Sequence, residues 1–199
     1  MRRTLYAALV AVGILAFGQQ ASSQALGPQR QFLAIEPYYE RTQLDIGDGV
    51  DKDGLNGFGA RIWINLDPFH FIMNSSIALY GSHAPSQSGR QATLTTFGAE
   101  YDQFFTRRPL GGFIEPFLLV GGGGVRVRSE RSPVFGRIGD ALTYGSMVAG
   151  GGLRIALPNR FELRGDAKDL IIFNTKTGTN GSSRTTNNLQ LQAGLGITF

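Results

Sequence analysis

The last eleven residues restrict the fold more than any other stretch. From Leu189 the chain reads Leu-Gln-Leu-Gln-Ala-Gly-Leu-Gly-Ile-Thr-Phe. Leu189, Leu191, Ala193, Leu195, Ile197 and Phe199 fall on one side of an extended chain, and Gln190, Gln192, Gly194, Gly196 and Thr198 fall on the other. An α-helix with that spacing buries no coherent face, whereas a β-strand does, because successive side chains of a strand alternate across it.

The same period of two organises the rest of the chain after its N-terminal segment. In residues 161–168, Phe161, Leu163, Gly165 and Ala167 alternate with Glu162, Arg164, Asp166 and Lys168. In residues 57–66, Phe58, Ala60, Ile62, Ile64 and Leu66 alternate with Gly59, Arg61, Trp63 and Asn65. Leu33, Ile35 and Tyr39 oppose Glu36, Tyr38 and Glu40; Phe71, Met73, Ile77 and Leu79 oppose Asn74, Ser76 and Tyr80. Phe97, Ala99 and Tyr101 oppose Gly98, Glu100 and Asp102; Met147, Ala149, Leu153 and Ile155 oppose Ser146, Gly150, Gly152 and Arg154. Residues 113–128 are less regular: 116–120 are apolar on both faces and four glycines follow, a pattern that fits a bulge or close strand packing. The sum is eight strands.

Tight or short connections are expected at Asp67-Pro68, at 106–112 and at Pro158-Asn159, with longer polar ones at 47–56, 82–91, 129–141 and 174–186. Short alternating with long is the sidedness of a transmembrane β-barrel, whose periplasmic turns are short and outer loops long. A soluble eight-stranded barrel would turn its apolar faces inward. Here charge decides the direction. A charged side chain facing lipid at mid-membrane costs about 2–4 kcal/mol, so Glu162, Arg164, Asp166 and Lys168 must line the lumen and the apolar faces must meet lipid. This accounts for a charged fraction of 17%, against about 25% in ordinary domains. It also places many of the 28 glycines on strand faces, as at Gly57, Gly59, Gly98, Gly150, Gly152, Gly194 and Gly196.

Residues 1–25 read as a secretory signal peptide, leaving 26–199 as the barrel domain. Arg2 and Arg3 supply the positive start, residues 5–17 the apolar run, and cleavage after Ser23 or Ala25 satisfies the small-x-small rule. Without Arg2 and Arg3, 17 basic residues face 15 acidic ones, and no basic run remains, so nucleic acid is not an expected partner. The absence of cysteine excludes disulfides, thiolate chemistry and Cys-ligated metal.

With these features in place the chain resembles the OmpA-like and opacity-type family of eight-stranded outer-membrane barrels. The residues carrying the resemblance are Leu191, Ala193, Leu195, Ile197 and Phe199 at the end of the chain; Pro116-Phe117 followed by Gly121 to Gly124; and the charged seventh strand from Arg160 to Gly165. The resemblance implies an eight-stranded antiparallel up-and-down transmembrane β-barrel in the bacterial outer membrane after signal-peptide cleavage. It implies that the terminal apolar series is the signal read by the barrel-assembly machinery. Because the chain stops at the barrel, the cell-wall tethering of longer relatives is not expected.

The inward polar set is Glu36, Glu40, Arg61, Glu100, Asp102, Arg154, Glu162, Arg164, Asp166 and Lys168. An eight-stranded barrel is just wide enough for side chains to fill it, so these residues are expected to form a lumen charge network of salt bridges and hydrogen bonds. A narrow gated ion path is the alternative. Catalysis by paired carboxylates would lack a way in for substrate. Residues 45–54 gather four carboxylates, Asp45, Asp48, Asp51 and Asp53, and Asp51-x-Asp53-Gly54 resembles part of a calcium loop, but its first position would be Gly49 and its twelfth Ala60 instead of Glu, so a solvated hairpin is expected. Ser82, His83 and Ser86 supply the residue types of a lipid-modifying barrel enzyme without a spacing that holds a Ser–His pair, and His70 is placed at the membrane interface. Gly121 to Gly124 lack the Lys-Ser/Thr of a phosphate loop. Tyr39, Phe69, Phe71, Tyr101 and Phe161 are compatible with an interfacial aromatic girdle.

The expected function is a non-catalytic one, structural or surface-interacting through the outer loops, by a monomer needing neither cofactor nor metal. Its expected partners are outer-membrane lipid, lipopolysaccharide and, during biogenesis, the barrel-assembly machinery. A small passive channel is the alternative, and a lipid A-modifying enzyme comes third.

Overall fold

Period-two alternation produces strands when each can find a hydrogen-bonding neighbour on both sides. The computed structural model describes residues 32–44, 53–66, 74–85, 92–105, 113–129, 141–158, 160–177 and 182–199. They form β1 (Leu33–Leu44), β2 (Asp53–Asn65), β3 (Ser75–Pro85), β4 (Ala92–Phe104), β5 (Ile114–Ser129), β6 (Ala141–Ala156), β7 (Phe161–Thr177) and β8 (Ser182–Thr198). Each strand pairs antiparallel with its sequence neighbour, and β8 returns to β1, closing an eight-stranded barrel. At the closing rim the Leu33 N–H donates to the Phe199 carbonyl (3.4 Å) and the Phe199 N–H to the Leu33 carbonyl (2.8 Å), so the start of β1 and the end of β8 share one rim. No described helix is long and apolar enough to cross a membrane.

The faces divide as the charge argument requires. Ile35, Ile62, Ile77, Leu79, Leu118, Leu153, Leu163, Leu195 and Ile197 point outward and are exposed, while Glu36, Arg61, Glu100, Arg164 and Lys168 point inward and are buried. Leu79 is 63% exposed and Phe58 is 73% exposed. A wall carrying this much contiguous apolar surface needs a non-aqueous surrounding. Aromatic side chains gather where a girdle belongs: Phe32, Phe113, Phe161 and Phe199 are exposed at the rim holding the chain ends, and Tyr39 packs edge-on against Phe58 higher up. Tyr101 is also outward, its hydroxyl donating to Gln103 Oε1 at 2.6 Å. Phe69 and Phe71 lie outside the described residues.

Two expectations change. Asn74 turns the chain into β3 with φ of 58°, and Phe71 and Met73, expected to share its outward face, lie outside the described residues. Much of what reads as loop is strand: β2 begins at Asp53, β3 runs to Pro85, β7 reaches Thr177 and β8 starts at Ser182. Polar hairpins keep their ladder bonds beyond the apolar band, so strand continues where hydrophobic alternation has stopped. The strand ends agree with the expected connections at 106–112, 129–141 and around Pro158, while those at 47–56, 82–91 and 174–186 are shorter than expected; Asp67-Pro68 lies outside the described residues. There the Leu157 N–H donates to the Phe161 carbonyl at 2.8 Å, and Arg160 takes φ of 67°. The second change concerns the interior, which is not uniformly polar. Leu44, Leu55, Leu94, Val125, Val127, Leu170 and Ile172 fill its far end, and Trp63, Phe104 and Phe117 fill the end near the chain termini. Arg61, Glu100, Arg164 and Lys168 lie between these two apolar layers, and Arg154, Glu115 and Glu162 lie beyond the second, nearer the terminal rim.

The irregular β5 is a full strand of 16 residues without a register shift against β4 or β6. Its glycines are there because the wall is tightly coiled. A Cβ on inward-facing Gly123 would collide with the Phe97 carbonyl and lie 2.6 Å from Gly98 Cα, both backbone atoms of β4. Outward-facing Gly165 has only one atom near, Gln192 O at 3.9 Å. Gly123→Ala is expected to destabilise the barrel by about 1–3 kcal/mol, as overpacking does, while Gly165→Ala leaves stability nearly unchanged. Urea titration of the two variants refolded in lipid vesicles checks the contrast.

Candidate functional site

The lumen is built by alternate residues of all eight strands, and its width allows side chains from opposite walls to meet. Two guanidinium groups sit at its centre, both fully buried. Arg61, from β2, lies 3.1 Å from Glu100 Oε1, 3.3 Å from Asp166 Oδ2 and 3.8 Å from Glu36 Oε1, and it donates to Gln192 Oε1. Arg164, from β7, donates to Asp102 Oδ2 at 2.7 Å and Asp166 Oδ2 at 2.9 Å, with Glu100 Oε1 at 3.3 Å. Glu100 also accepts from the Lys168 ammonium at 3.0 Å, so one carboxylate joins three cations. Arginine suits this role because its planar fork serves two carboxylates at once.

Aromatic rings complete the packing. Arg164 lies over Trp63 and Phe117, at 4.3 and 4.1 Å from the ring centres. Arg61 lies 4.9 Å from the Tyr38 centre and Lys168 4.8 Å from that of Tyr80. Such contacts strengthen when water is excluded. Gly194 leaves the space in which the Glu36 carboxylate lies, and Gly59 the space for the Tyr38 ring.

All ten expected lumen residues point inward and are buried. They do not form a single cluster. Arg61, Glu36, Glu100, Asp102, Arg164, Asp166 and Lys168 make the central network, whereas Arg154 belongs to a second group near the terminal rim. Its partners are Glu162 at 3.8 Å and Glu115 at 2.7 Å, with its guanidinium 4.1 Å from the Phe104 ring. Glu40 stands apart again. It accepts hydrogen bonds from Ser82 (2.7 Å), Gln190 (2.9 Å) and Gln192 (3.1 Å) instead of from a cation. Glu115 is the residue that sequence reasoning missed, because β5 alone gave no face assignment. It raises the described buried carboxylates to seven against four cations.

The remaining candidates separate. Ser82 points inward, bonded to Glu40 and 2.6 Å from Thr96 Oγ1, while neighbouring His83 points outward with Nδ1 at 3.0 Å from Thr95 Oγ1. A Ser82–His83 nucleophile pair is therefore not formed, since adjacent strand residues face opposite ways. Among the described residues, no group of three or more His, Asp or Glu is placed to hold a metal ion. Ser86, His70 and the acidic segment 45–52 lie outside the described residues. Leu191, Ala193, Leu195, Ile197 and Phe199 form one continuous exposed stripe on the outside of β8, ending at the rim.

Breaking the central network should be costly, because removing one partner leaves buried charge uncompensated. Arg164→Met is expected to lose about 3–5 kcal/mol, and adding Asp102→Asn to that variant should recover part of it. Trp63 is the only tryptophan and lies against Arg164, so its emission during urea unfolding from vesicles reads both variants.

No protein-family model and no curated protein matches the chain. Solved structures do. Neisserial surface protein A aligns over 84% of this chain and 96% of its own, with a TM-score of 0.56 and 16% identity. The N-terminal β-barrel domain of Pseudomonas aeruginosa OprF aligns over 86% of this chain and all of its own, at 0.52 and 12%. Ail, the attachment invasion locus protein of Yersinia pestis, aligns over 86% of this chain and 100% of its own, at 0.51 and 16%. All three are eight-stranded outer-membrane barrels, and the chain shares their fold.

Proposed function

We propose that this protein is a non-catalytic outer-membrane barrel, monomeric, with its chain ends on the periplasmic side. Its wall serves the envelope as a structural element, and its opposite rim serves contact at the cell surface. The observation that carries the reading is the filled lumen. Arg61, Arg164, Lys168 and their carboxylates lock the centre of the barrel, apolar side chains fill the end away from the chain termini, and Trp63, Phe104 and Phe117 with the Arg154, Glu115 and Glu162 group fill the other. A passage for solutes would need these groups displaced together, and a substrate would have no entrance. The similar proteins named above are surface or structural barrels, which agrees with this reading. The proposed partners are outer-membrane lipid and lipopolysaccharide, with the barrel-assembly machinery acting during biogenesis on a chain whose signal peptide has been removed.

Planar-bilayer recording tests the reading against a passive channel. The folded protein is expected to give no openings, and steady conductance from the wild-type chain would sink the proposal. Assembly is tested separately. Phe199→Ala should lower the amount of folded barrel recovered from cell outer membranes, yet leave refolding of the purified chain in detergent unchanged. An equal loss in both settings would show that Phe199 acts only in packing.

A further inference from the structure

Outside the lumen, one polar patch of the wall carries two arginines on one strand face. It lies on β3 to β6, on the half of those strands away from the chain ends. His83, Thr95, Arg126 and Thr143 are cross-strand neighbours in one row, paired in register through β3, β4, β5 and β6. Thr93 and Arg128 stand directly beside each other in the row beyond it. Arg126 and Arg128 are outward and exposed. No described carboxylate pairs with either of them.

Two observations set the height of this patch. β5 has 16 residues, whereas about 9–11 cross the hydrocarbon. Counted from Ile114 at the terminal rim, the crossing ends near Gly124, and the two arginines come next. Independently, the Phe97 ring covers Gly124 on the outer face, just below Arg126. Aromatic rings prefer the boundary between hydrocarbon and headgroups. The arginines therefore project at headgroup level, where a positive side chain is tolerated and can meet anionic groups.

We propose that this ledge binds the phosphate groups of the phosphorylated glycolipid in the outer leaflet. The inference rests on the orientation given under Proposed function, which puts this rim at the cell surface. Arg126 and Arg128 project from the same face two residues apart, about 7 Å along the strand, so each can grip a phosphate with its planar fork. The Thr95 and Thr143 hydroxyls flank Arg126 and can donate to the same oxygens. Single basic residues elsewhere on the wall, such as Arg41, lack this paired arrangement.

The test uses the full mature chain refolded in phosphatidylcholine nanodiscs, alone or doped with bisphosphorylated lipid A or with enzymatically dephosphorylated lipid A. Trp63 emission reports the unfolding temperature. The wild-type midpoint should rise with bisphosphorylated lipid A and stay unmoved with the dephosphorylated form. Arg126→Gln/Arg128→Gln should match the wild type in plain phosphatidylcholine. It should bind lipid A about tenfold or more weakly, the scale of losing charge-assisted hydrogen bonds. An equal rise in the double variant, or an equal response to dephosphorylated lipid, overturns the ledge. So does an equal rise from the soluble acyl-free bisphosphorylated disaccharide, which would assign the site to a free phosphosugar. A wild-type chain that folds yet ignores lipid A overturns the ledge alone, whereas a chain that folds in none of these bilayers overturns the outer-membrane reading with it.

Discussion

Hydrogen bonding between β1 and β8 is the condition on which the rest of this structure depends. A bilayer offers backbone N–H and C=O groups no partners, so a sheet can cross it only if it has no edges. Closure satisfies the ladder, and it also creates an inside too narrow to stay open. With the outer face given over to lipid, the inner face is the only place for charge within the membrane. Burying four cations is unfavourable unless each meets carboxylates in good geometry, and Arg61, Arg164, Lys168 and Arg154 each do.

The interior thereby reverses the order of a soluble domain without abandoning it. The main charged network sits in the middle between two apolar layers, and a smaller Arg154, Glu115 and Glu162 group lies beyond the layer nearer the chain ends. Leu55, Leu94 and Val127 shield the network on one side, and Trp63, Phe104 and Phe117 shield it on the other. Excluding water in this way strengthens each hydrogen bond inside and raises the cost of any that is missing. The glycines belong to the same arrangement. Where a wide side chain such as Tyr38 or Glu36 enters the lumen, the neighbouring strand presents Gly59 or Gly194.

The number of strands and the facing of all but β5 could be read from alternation and charge, while their order of pairing came from the connections and the resemblance. Leu33 to Glu40, Gly57 to Asn65, Phe161 to Lys168 and the terminal Leu189 to Phe199 all present the expected faces. The inward position of ten charged residues was equally legible, because the cost of charge in lipid leaves no other choice. Their partners were not. Whether Arg154 meets Glu115 or Asp166 depends on shear and tilt, which no single strand encodes. Glu115 was hidden because Pro116 to Val120 is apolar on both faces, as a strand between lipid and an apolar plug must be. The outer halves of β7 and β8 were hidden for a related reason: beyond the membrane a polar ladder is held by its own hydrogen bonds, and hydrophobic period carries no signal.

The lumen contacts also join parts of the chain that are far apart in sequence. Gln190 reaches Glu40 across 150 positions, and Arg61 reaches Gln192 across 131. Contacts of such long range form late, after the loop between them has been closed. Until β8 arrives, Glu40 lacks the Gln190 and Gln192 amides and Arg61 lacks Gln192, and a half-built wall must keep its charged side wet. The interior of this barrel is therefore dry only as a consequence of completion, and the last strand to be made is the one that seals it.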